Sequence, residues 1–586
     1  MNKDLLLYNG FSPRRRSQGD IFLDNGIGIL RSYLQKNDIS FDVEDRIKIG
    51  EYGEFIDDDL SAALRYNFKP FLFPSKRADK IKKILYGLNV MKYYRKFSNY
   101  QDNLMDKYIE DLSDRVKAEK YSVVGIKLWF GDAFITSQRL CELIHKKSPE
   151  TLVIAGGPHV NCWYSNGVIL KQSNFDLAVY SEGEYALTEI IKITRNCKTK
   201  KDKLEAIKKS NLSNLMYRDG NEVRVNPCVP LSINEKVFPV YTEEELKSKV
   251  NSHTIIDGFG CDYGKCPFCI HPFIHPRYRL RDPKIIVDEI EYMLKQGIGF
   301  FTFTASDTTL PHAAKIADEI LKRNLKLEYT LLTRATKGAS NRKEKLTERY
   351  VKLINSGLRI IFMGAECGND TVLKEILNKN ITARDVIETV NCIRKAEQKT
   401  GQKVNLISSY IYPLPLTKEL MRNGIDMARV YEDNCELIKR TRPDSVQIVP
   451  ALLYNGTDWC ENPEKYGIKL DREKYEKEMP KIEISVHGTI DQKISSIYSF
   501  CGKDIGKWIS SYQKMCNKVS KMGLSPGLND EQLLIGRCLG HVSHEELDTL
   551  SKELFLDTVC SNYLGDYKWF DKVNETSHKI AYSNKL

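Results

Sequence analysis

The sequence has no apolar run near the ~18 residues that a membrane span needs, so a spanning protein is not expected. Met1 to Leu7 hold no apolar core long enough for a secretory signal. The expected compartment is therefore cytoplasmic, with no membrane partner. No internal repeat at a period of roughly 20–50 residues is present, which excludes solenoids and propellers. Strong charge of one sign is also missing. The 89 basic and 78 acidic residues leave +11 over 586 positions. Lysine reads as dispersed, and only Arg14, Arg15 and Arg16 form a tight arginine cluster. With no basic patch interleaved with aromatics and no appended RNA-binding module, nucleic acid is not an expected partner. Hydrophobic residues at 41% and charged residues at 28% exclude wholesale disorder. At about 100–200 residues per domain the chain predicts two to four domains.

Strand and helix signals alternate from the start. Leu5-Leu6-Leu7-Tyr8 stops at the turn dipeptide Asn9-Gly10, a helical pattern follows near Ile27 to Leu34, and Ile39, Phe41 and Val43 alternate with polar residues. After a lysine- and tyrosine-rich helical stretch, buried strands are predicted at Val123–Ile126, Leu152–Ala155 and Phe175–Val179. This alternation predicts an α/β, doubly wound, Rossmann-like parallel sheet over residues 1–210. Ligands of such sheets sit at the carboxyl ends of the strands. Gly156-Gly157-Pro158-His159 and Glu182-Gly183-Glu184 both fall there. Residues 211–250 read as a connector, with a hairpin turn at Asp219-Gly220.

A second alternating region over 251–455 predicts strands near Thr254–Ile256, Phe300–Thr304, Leu327–Leu332, Ile360–Met363, Val404–Tyr410 and Val446–Val449. Six strand–helix units suggest a partial or full (β/α) barrel. Residues 456–586 read as a mainly helical domain, with a capping box at Ser543 and Glu546 and no catalytic motif. Its expected role is to cap the substrate.

The fifteen cysteines, without a secretory signal, do not read as a disulfide framework. Most are scattered singly, but Cys261, Cys266 and Cys269 sit in one short loop with four and then two residues between them. Thiolates suit zinc or iron–sulfur clusters. His271 and His275 are close enough in sequence to complete a zinc site, which would make the chain a zinc-bearing binding module. The context favours a cluster with an open position. The loop follows the first strand of the second region, at Gly258-Phe259-Gly260, which is the mouth of a barrel.

This loop resembles the cluster loop of radical S-adenosylmethionine (SAM) enzymes, in which three cysteines hold a [4Fe-4S] cluster and SAM takes the fourth iron. Phe268 matches the aromatic residue that usually precedes the last cysteine. The usual spacing is three and two, and the extra residue here lies within Asp262-Tyr263-Gly264-Lys265. Gly364-Ala365-Glu366-Cys367-Gly368 resembles the family's Gly-x-Glu-Ser-Gly segment, which implies that Glu366 accepts from the SAM ribose. Leu377-Asn378-Lys379-Asn380-Ile381 resembles the segment that follows, and Ser408-Ser409-Tyr410 the fifth strand. The resemblance further implies that Thr304 and Ser306 meet the SAM amino group and that Arg334 pairs with its carboxylate.

The N-terminal region resembles the cobalamin-binding domain that precedes many radical SAM domains. It does so through Val123–Ile126, Gly156, Gly157, His159, Glu182 and Gly183, with Trp129 in a loop that covers the lower face of the corrinoid. No histidine has the Asp-x-His-x-x-Gly context, so none is expected on cobalt. The implied activity is a cobalamin-dependent radical SAM methyltransferase. Reduced cobalt takes a methyl group from one SAM, and the cluster cleaves another to a 5′-deoxyadenosyl radical. That radical abstracts hydrogen from a small-molecule or peptide substrate, whose radical takes the methyl. A non-methylating rearrangement, ring contraction or cyclisation with the same cofactors is the alternative. An electron donor such as flavodoxin or ferredoxin is implied.

Overall fold

The computed structural model describes residues 3–13, 18–49, 52–73, 80–482, 494, 496–560 and 568–584; the Arg14–Arg16 cluster lies outside them. The first sheet joins β1 (Leu5–Asn9), β2 (Phe41–Glu44), β3 (Val123–Lys127), β4 (Leu152–Gly156) and β5 (Leu177–Val179) in parallel, in the order 2-1-3-4-5. The central strands are buried at nearly every position because helices cover both faces. Those helices include α1 (Asn25–Lys36), α3 (Lys80–Glu119) and α4 (Asp132–Lys147); α2 (Asp58–Leu72) packs on the first part of α3. Strand order reverses between β1 and β3, which opens a crevice at their carboxyl ends.

The sheet does not stop at residue 210. β6 (Leu215–Asp219) and β7 (Glu222–Val225) form the hairpin expected in the connector, and it pairs antiparallel with β5. It closes an edge that β5 would otherwise leave open. The first unit therefore runs to Val225.

In the second unit, β8 (Ser252–Ile255) is followed by a ribbon of β9 (Gly258–Phe259) and β10 (Arg279–Leu280), whose connection carries the three cysteines. β11 (Phe300–Phe303), β12 (Glu328–Arg334), β13 (Leu358–Glu366), β14 (Asn405–Ile411) and β15 (Ser445–Val449) then run parallel, in the order 8-11-12-13-14-15. All six expected strands are present. Among the described residues β8 does not pair with β15, so the barrel is partial.

The C-terminal part is mainly helical. It also holds a small antiparallel sheet of β16 (Ile468–Leu470), β17 (Tyr498–Phe500) and β18 (Lys503–Asp504), and a two-residue β19 (Ser525–Pro526) that extends the barrel beside β15. Its last helices do not cap the mouth. Ser577 Oγ accepts from Gly299 N at 2.8 Å and donates to Asn251 O at 2.7 Å. Asn584 binds Lys326 O at 2.7 Å, and Arg537 reaches Glu328 and Asn405. These partners stand at the amino ends of β8, β11, β12 and β14. The tail satisfies backbone groups that strand ends leave open and forms the barrel floor. Among the described residues of this part, those near 456–466 approach the cysteine loop. Trp459 donates its backbone N–H to Pro267 O at 3.0 Å and packs its ring on Phe268 at 5.6 Å.

Candidate functional site

The cysteine loop is held from below and from the side. Gly260 has φ +76, and a Cβ there would lie 2.8 Å from Arg277 O, so only glycine lets the two arms of the β9–β10 ribbon close. Cys269 N donates to Cys266 O at 3.2 Å, which turns the last two cysteines back on each other. Asn378 clasps the longer first spacer. It donates to Lys265 O at 2.9 Å, and its own carbonyl accepts from the Tyr263 hydroxyl. The extra residue is thus absorbed in an anchored turn.

All three thiols are free and half-buried. Burial pushes Cys266 up to about 12 and Cys269 to about 11, while the buried Lys379 ammonium acts in the opposite direction on both. The sulfurs are not gathered for one ion. A Zn–S bond of about 2.3 Å limits two sulfurs on one zinc to about 4.6 Å apart. The three sulfurs are not all within 4.8 Å of one another, and neither His271 nor His275 joins them in a group that tight. His271 Nδ1 instead faces Ser306 Oγ at 3.1 Å, and the His275 ring packs tilted against Phe259. A multi-iron cluster, which spreads its ligands, fits this trio better than a single zinc.

Beside the thiols, β13 ends in a strained turn. Glu366 has φ +64, unusual for a side chain with a Cβ, and the β13–β14 register shifts there. Its carboxylate pairs with Lys379 at 2.7 Å, both side chains being largely buried. A Cβ at Gly364 would lie 2.5 Å from Glu366 Oε1, so glycine makes room for this pair.

Paired residues of parallel strands share a face, and one row across the sheet reads Arg334, Gly364, Ser409, Gln447. Ser408, expected at the site, instead pairs with Met363 and Val446 and is fully buried on the opposite face. Its neighbour Ser409 is the residue on the site face. Gln447 is 3% exposed, and neither its Oε1 nor its Nε2 has a partner among the described residues. A bound polar ligand would satisfy both, which is how these residues fit SAM.

Arg334 is not free for the SAM carboxylate. Its Nε donates to Asp307 at 2.7 Å, its tip pairs with Asp262, and it lies over the Tyr263 ring. Thr304 turns its hydroxyl back to Ile255 O at 3.2 Å. Lys379, Asn378, Asp262 and Asp307 all lie in or beside the motifs read from the sequence, but nothing there gave them roles; Lys379 is marked by its burial beside Glu366.

At the first sheet, Gly157 has φ +90, and a Cβ would crowd Leu128 and Lys127. Gly156 is different: the nearest atom to its Cβ position is 3.7 Å away, so it presents bare backbone to the crevice. Trp129, two residues beyond β3, donates to Asn9 Oδ1 at 3.0 Å and lies under the Lys127 ammonium, which pairs with Asp24. The β1–β3 switch point thus holds a polar set around one half-buried indole, with open backbone at Gly156. That set fits a large polar macrocycle.

Two expected contacts lie elsewhere. His159 is fully buried between the Phe130 and Phe134 rings, at 4.9 and 4.8 Å, and burial pushes it down to about 3. It is a neutral core residue rather than a crevice group. Glu182 accepts from Leu231 N at 2.6 Å and pairs with Arg279 of β10, so it ties the two units together. Gly183 begins the helix Glu184–Thr194.

The two mouths face each other. Tyr180, just after β5, stacks on Tyr164 at 4.6 Å, which stacks on Phe273 at 4.8 Å, four residues beyond Cys269. An open cavity of about 530 Å³ touches Cys266, Cys269 and Phe273.

The family comparisons agree with this geometry. The B12 binding domain matches residues 86–191 and the Radical SAM superfamily matches residues 255–416. The chain thus carries a B12 binding domain followed by a radical SAM domain, the order found in cobalamin-dependent radical SAM enzymes. The cofactors of these domains are cobalamin, a [4Fe-4S] cluster and SAM. Among curated relatives, the anaerobic magnesium-protoporphyrin IX monomethyl ester cyclase of Rubrivivax gelatinosus is 26% identical over 308 residues, 49% of this chain and 52% of that protein. The chain spans about half the length of the first curated relatives it matches.

Among solved structures, the radical SAM methyltransferase TsrM of Kitasatospora setae, with cobalamin and a [4Fe-4S] cluster, superposes with a TM-score of 0.57 at 13% identity. That match covers 95% of this chain and 99% of TsrM. The cobalamin-dependent radical enzyme OxsB, with aqua-cobalamin and SAM, gives 0.54 at 14% identity, covering 99% and 84%. At these identities the likeness is one of fold. No described helix is long and apolar enough to cross a membrane.

Proposed function

We propose that this enzyme methylates a carbon of a small-molecule or peptide substrate. One observation carries the reading. The cysteine loop and the carboxyl ends of the first sheet meet across the Tyr180–Tyr164–Phe273 stack and the Glu182–Arg279 pair, which would bring the two cofactors side by side. When bound, the cluster with SAM supplies a carbon-centred radical and the corrinoid supplies a methyl group. The residues of this chain do the rest. Cys261, Cys266 and Cys269 hold the cluster with one position open. Glu366, fixed by Lys379, presents a carboxylate to the SAM ribose hydroxyls, and Ser409 and Gln447 complete the polar row. Gly156 and Gly157 let backbone approach the corrinoid, and Trp129 lies over the switch point. Phe268, Trp459 and Tyr164 exclude water around the loop. Asp262 is the exposed partner of Arg334, so an incoming carboxylate reaches that guanidinium only by displacing it.

The identity to a cyclase over 308 residues favours a second reading, a ring closure with the same cofactors. Incubation of reconstituted enzyme with SAM bearing a labelled methyl separates the two. Methylation yields S-adenosylhomocysteine and a product carrying the label, whereas ring closure leaves the product unlabelled.

A further inference from the structure

The charge of this chain is concentrated. Between residues 60 and 101 there are ten lysines and arginines and one acidic residue, Asp79, so +9 of the +11 falls in this stretch. That corrects the impression of dispersed lysine. Its described residues, 60–73 and 80–101, belong to α2 and the outer part of α3. On its inner face, Val90, Tyr93 and Phe97 pack against Leu60 and Leu64 of α2 and Cys560. The opposite face carries Ile81, Ile84, Leu85, Leu88 and Met91, which are 66, 64, 55, 57 and 67% exposed. Their spacing of three, one, three and three residues lines them along one side of a helix, over about 15 Å. Lys82 and Lys83 flank the start of this stripe, and Lys92, Arg95 and Lys96 follow its end; all five are exposed. Tyr66 and Phe71 of α2, 69 and 45% exposed, add aromatic surface nearby.

Neither half of this surface is explained by the fold. A monomeric protein seldom exposes a contiguous aliphatic stripe, and a solvated face does not need one. Nucleic acid would use the charge and leave the aliphatic side chains in water. A second copy of the helix would cover the aliphatics but set lysine against lysine. An anionic bilayer surface satisfies both: the apolar side chains enter the acyl boundary while the basic ones meet headgroups.

We propose that the exposed face of α3, with its neighbour α2, docks the enzyme peripherally on anionic phospholipid. This departs from the expectation of no membrane partner, and it needs no spanning helix, of which the described residues hold none. It is independent of the reaction proposed above. The test is co-sedimentation of the full chain with phosphatidylcholine vesicles, with and without phosphatidylglycerol. At low salt, binding should be at least ~10-fold stronger to the anionic vesicles, and it should collapse near ~0.5 M salt, where the Debye length is only a few ångströms. Leu85→Glu with Leu88→Glu, both at exposed positions, should abolish binding and leave the melting temperature unchanged. Lys82→Glu with Lys83→Glu should weaken it and spare the fold equally. Equal binding to neutral and anionic vesicles, or binding that survives both variants, overturns the proposal. So does a concentration-dependent dimer that the leucine variant disperses, if the wild-type chain ignores vesicles. Retention on single-stranded RNA without vesicle binding would overturn it as well.

Discussion

Replacing Lys379 by methionine removes the ammonium that holds Glu366 and leaves the carboxylate behind. The side chains of Lys379 and Glu366 are 7 and 12% exposed. Breaking a buried pair by removing one partner costs about 3–5 kcal/mol, because the remaining charge stays buried without compensation. The double variant Glu366→Gln, Lys379→Met removes both charges and should recover more than half of that loss. Urea unfolding of metal-free, reduced protein measures both. A second readout is specific to the site. Lys379 lowers the pKa values of Cys266 and Cys269 against the burial that raises them. Without it both thiols move further up, so the thiolate fraction at a given pH falls. Alkylation by iodoacetamide, followed by mass spectrometry at these two cysteines, should shift to higher pH. A Lys379→Met loss under ~1 kcal/mol, with an unmoved alkylation profile, would refute the placement of this lysine between the carboxylate and the thiols.

Other expectations follow from the same geometry. His159→Phe fits between Phe130 and Phe134. The buried imidazole has its pKa lowered to about 3 from an ordinary 6.5, so it stabilises fully above pH 6.5 and ever less as pH falls toward 3. At pH 5 the wild-type penalty is about 2 kcal/mol, and thermal melts should show the variant free of that acid sensitivity, with corrinoid binding retained. Gly156→Val should weaken corrinoid binding in a spectroscopic titration while iron loading is unchanged, since the space above Gly156 is open and its φ is ordinary. Arg279→Gln should loosen the Glu182 tie, raising hydrogen exchange in β9 and β10 more than in β11. The Cys261, Cys266 and Cys269 to Ala triple variant should bind no iron yet keep corrinoid affinity.

The strands of both sheets were legible because parallel strands covered on both faces read as short unbroken apolar runs, as at Val123–Ile126 and Leu152–Ala155. The cysteine loop was legible from spacing alone. What the sequence could not show was which side of a strand a residue faces when its neighbour has the same chemistry. Ser408 and Ser409 differ only by register, and register is fixed by pairing with β13 and β15. Nor does sequence separate a free charge from a paired one. Arg334 and Glu182 stand at strand ends where ligands bind, yet Asp307, Asp262 and Arg279 reach them first, across separations of 27, 72 and 97 residues. The helical tail was recognised, but its place under the barrel depends on polar contacts such as Ser577 with Gly299, which carry no local signal.

The central claim is that three thiolates hold a four-iron cluster with one iron left for SAM. Mössbauer spectroscopy of anaerobically prepared, iron-57-labelled protein, recorded with and without SAM, tests it directly. The account predicts the quadrupole doublets of a cubane, with one quarter of the iron shifting when SAM is added. Stoichiometric zinc, or iron with no cubane and no response to SAM, would contradict it.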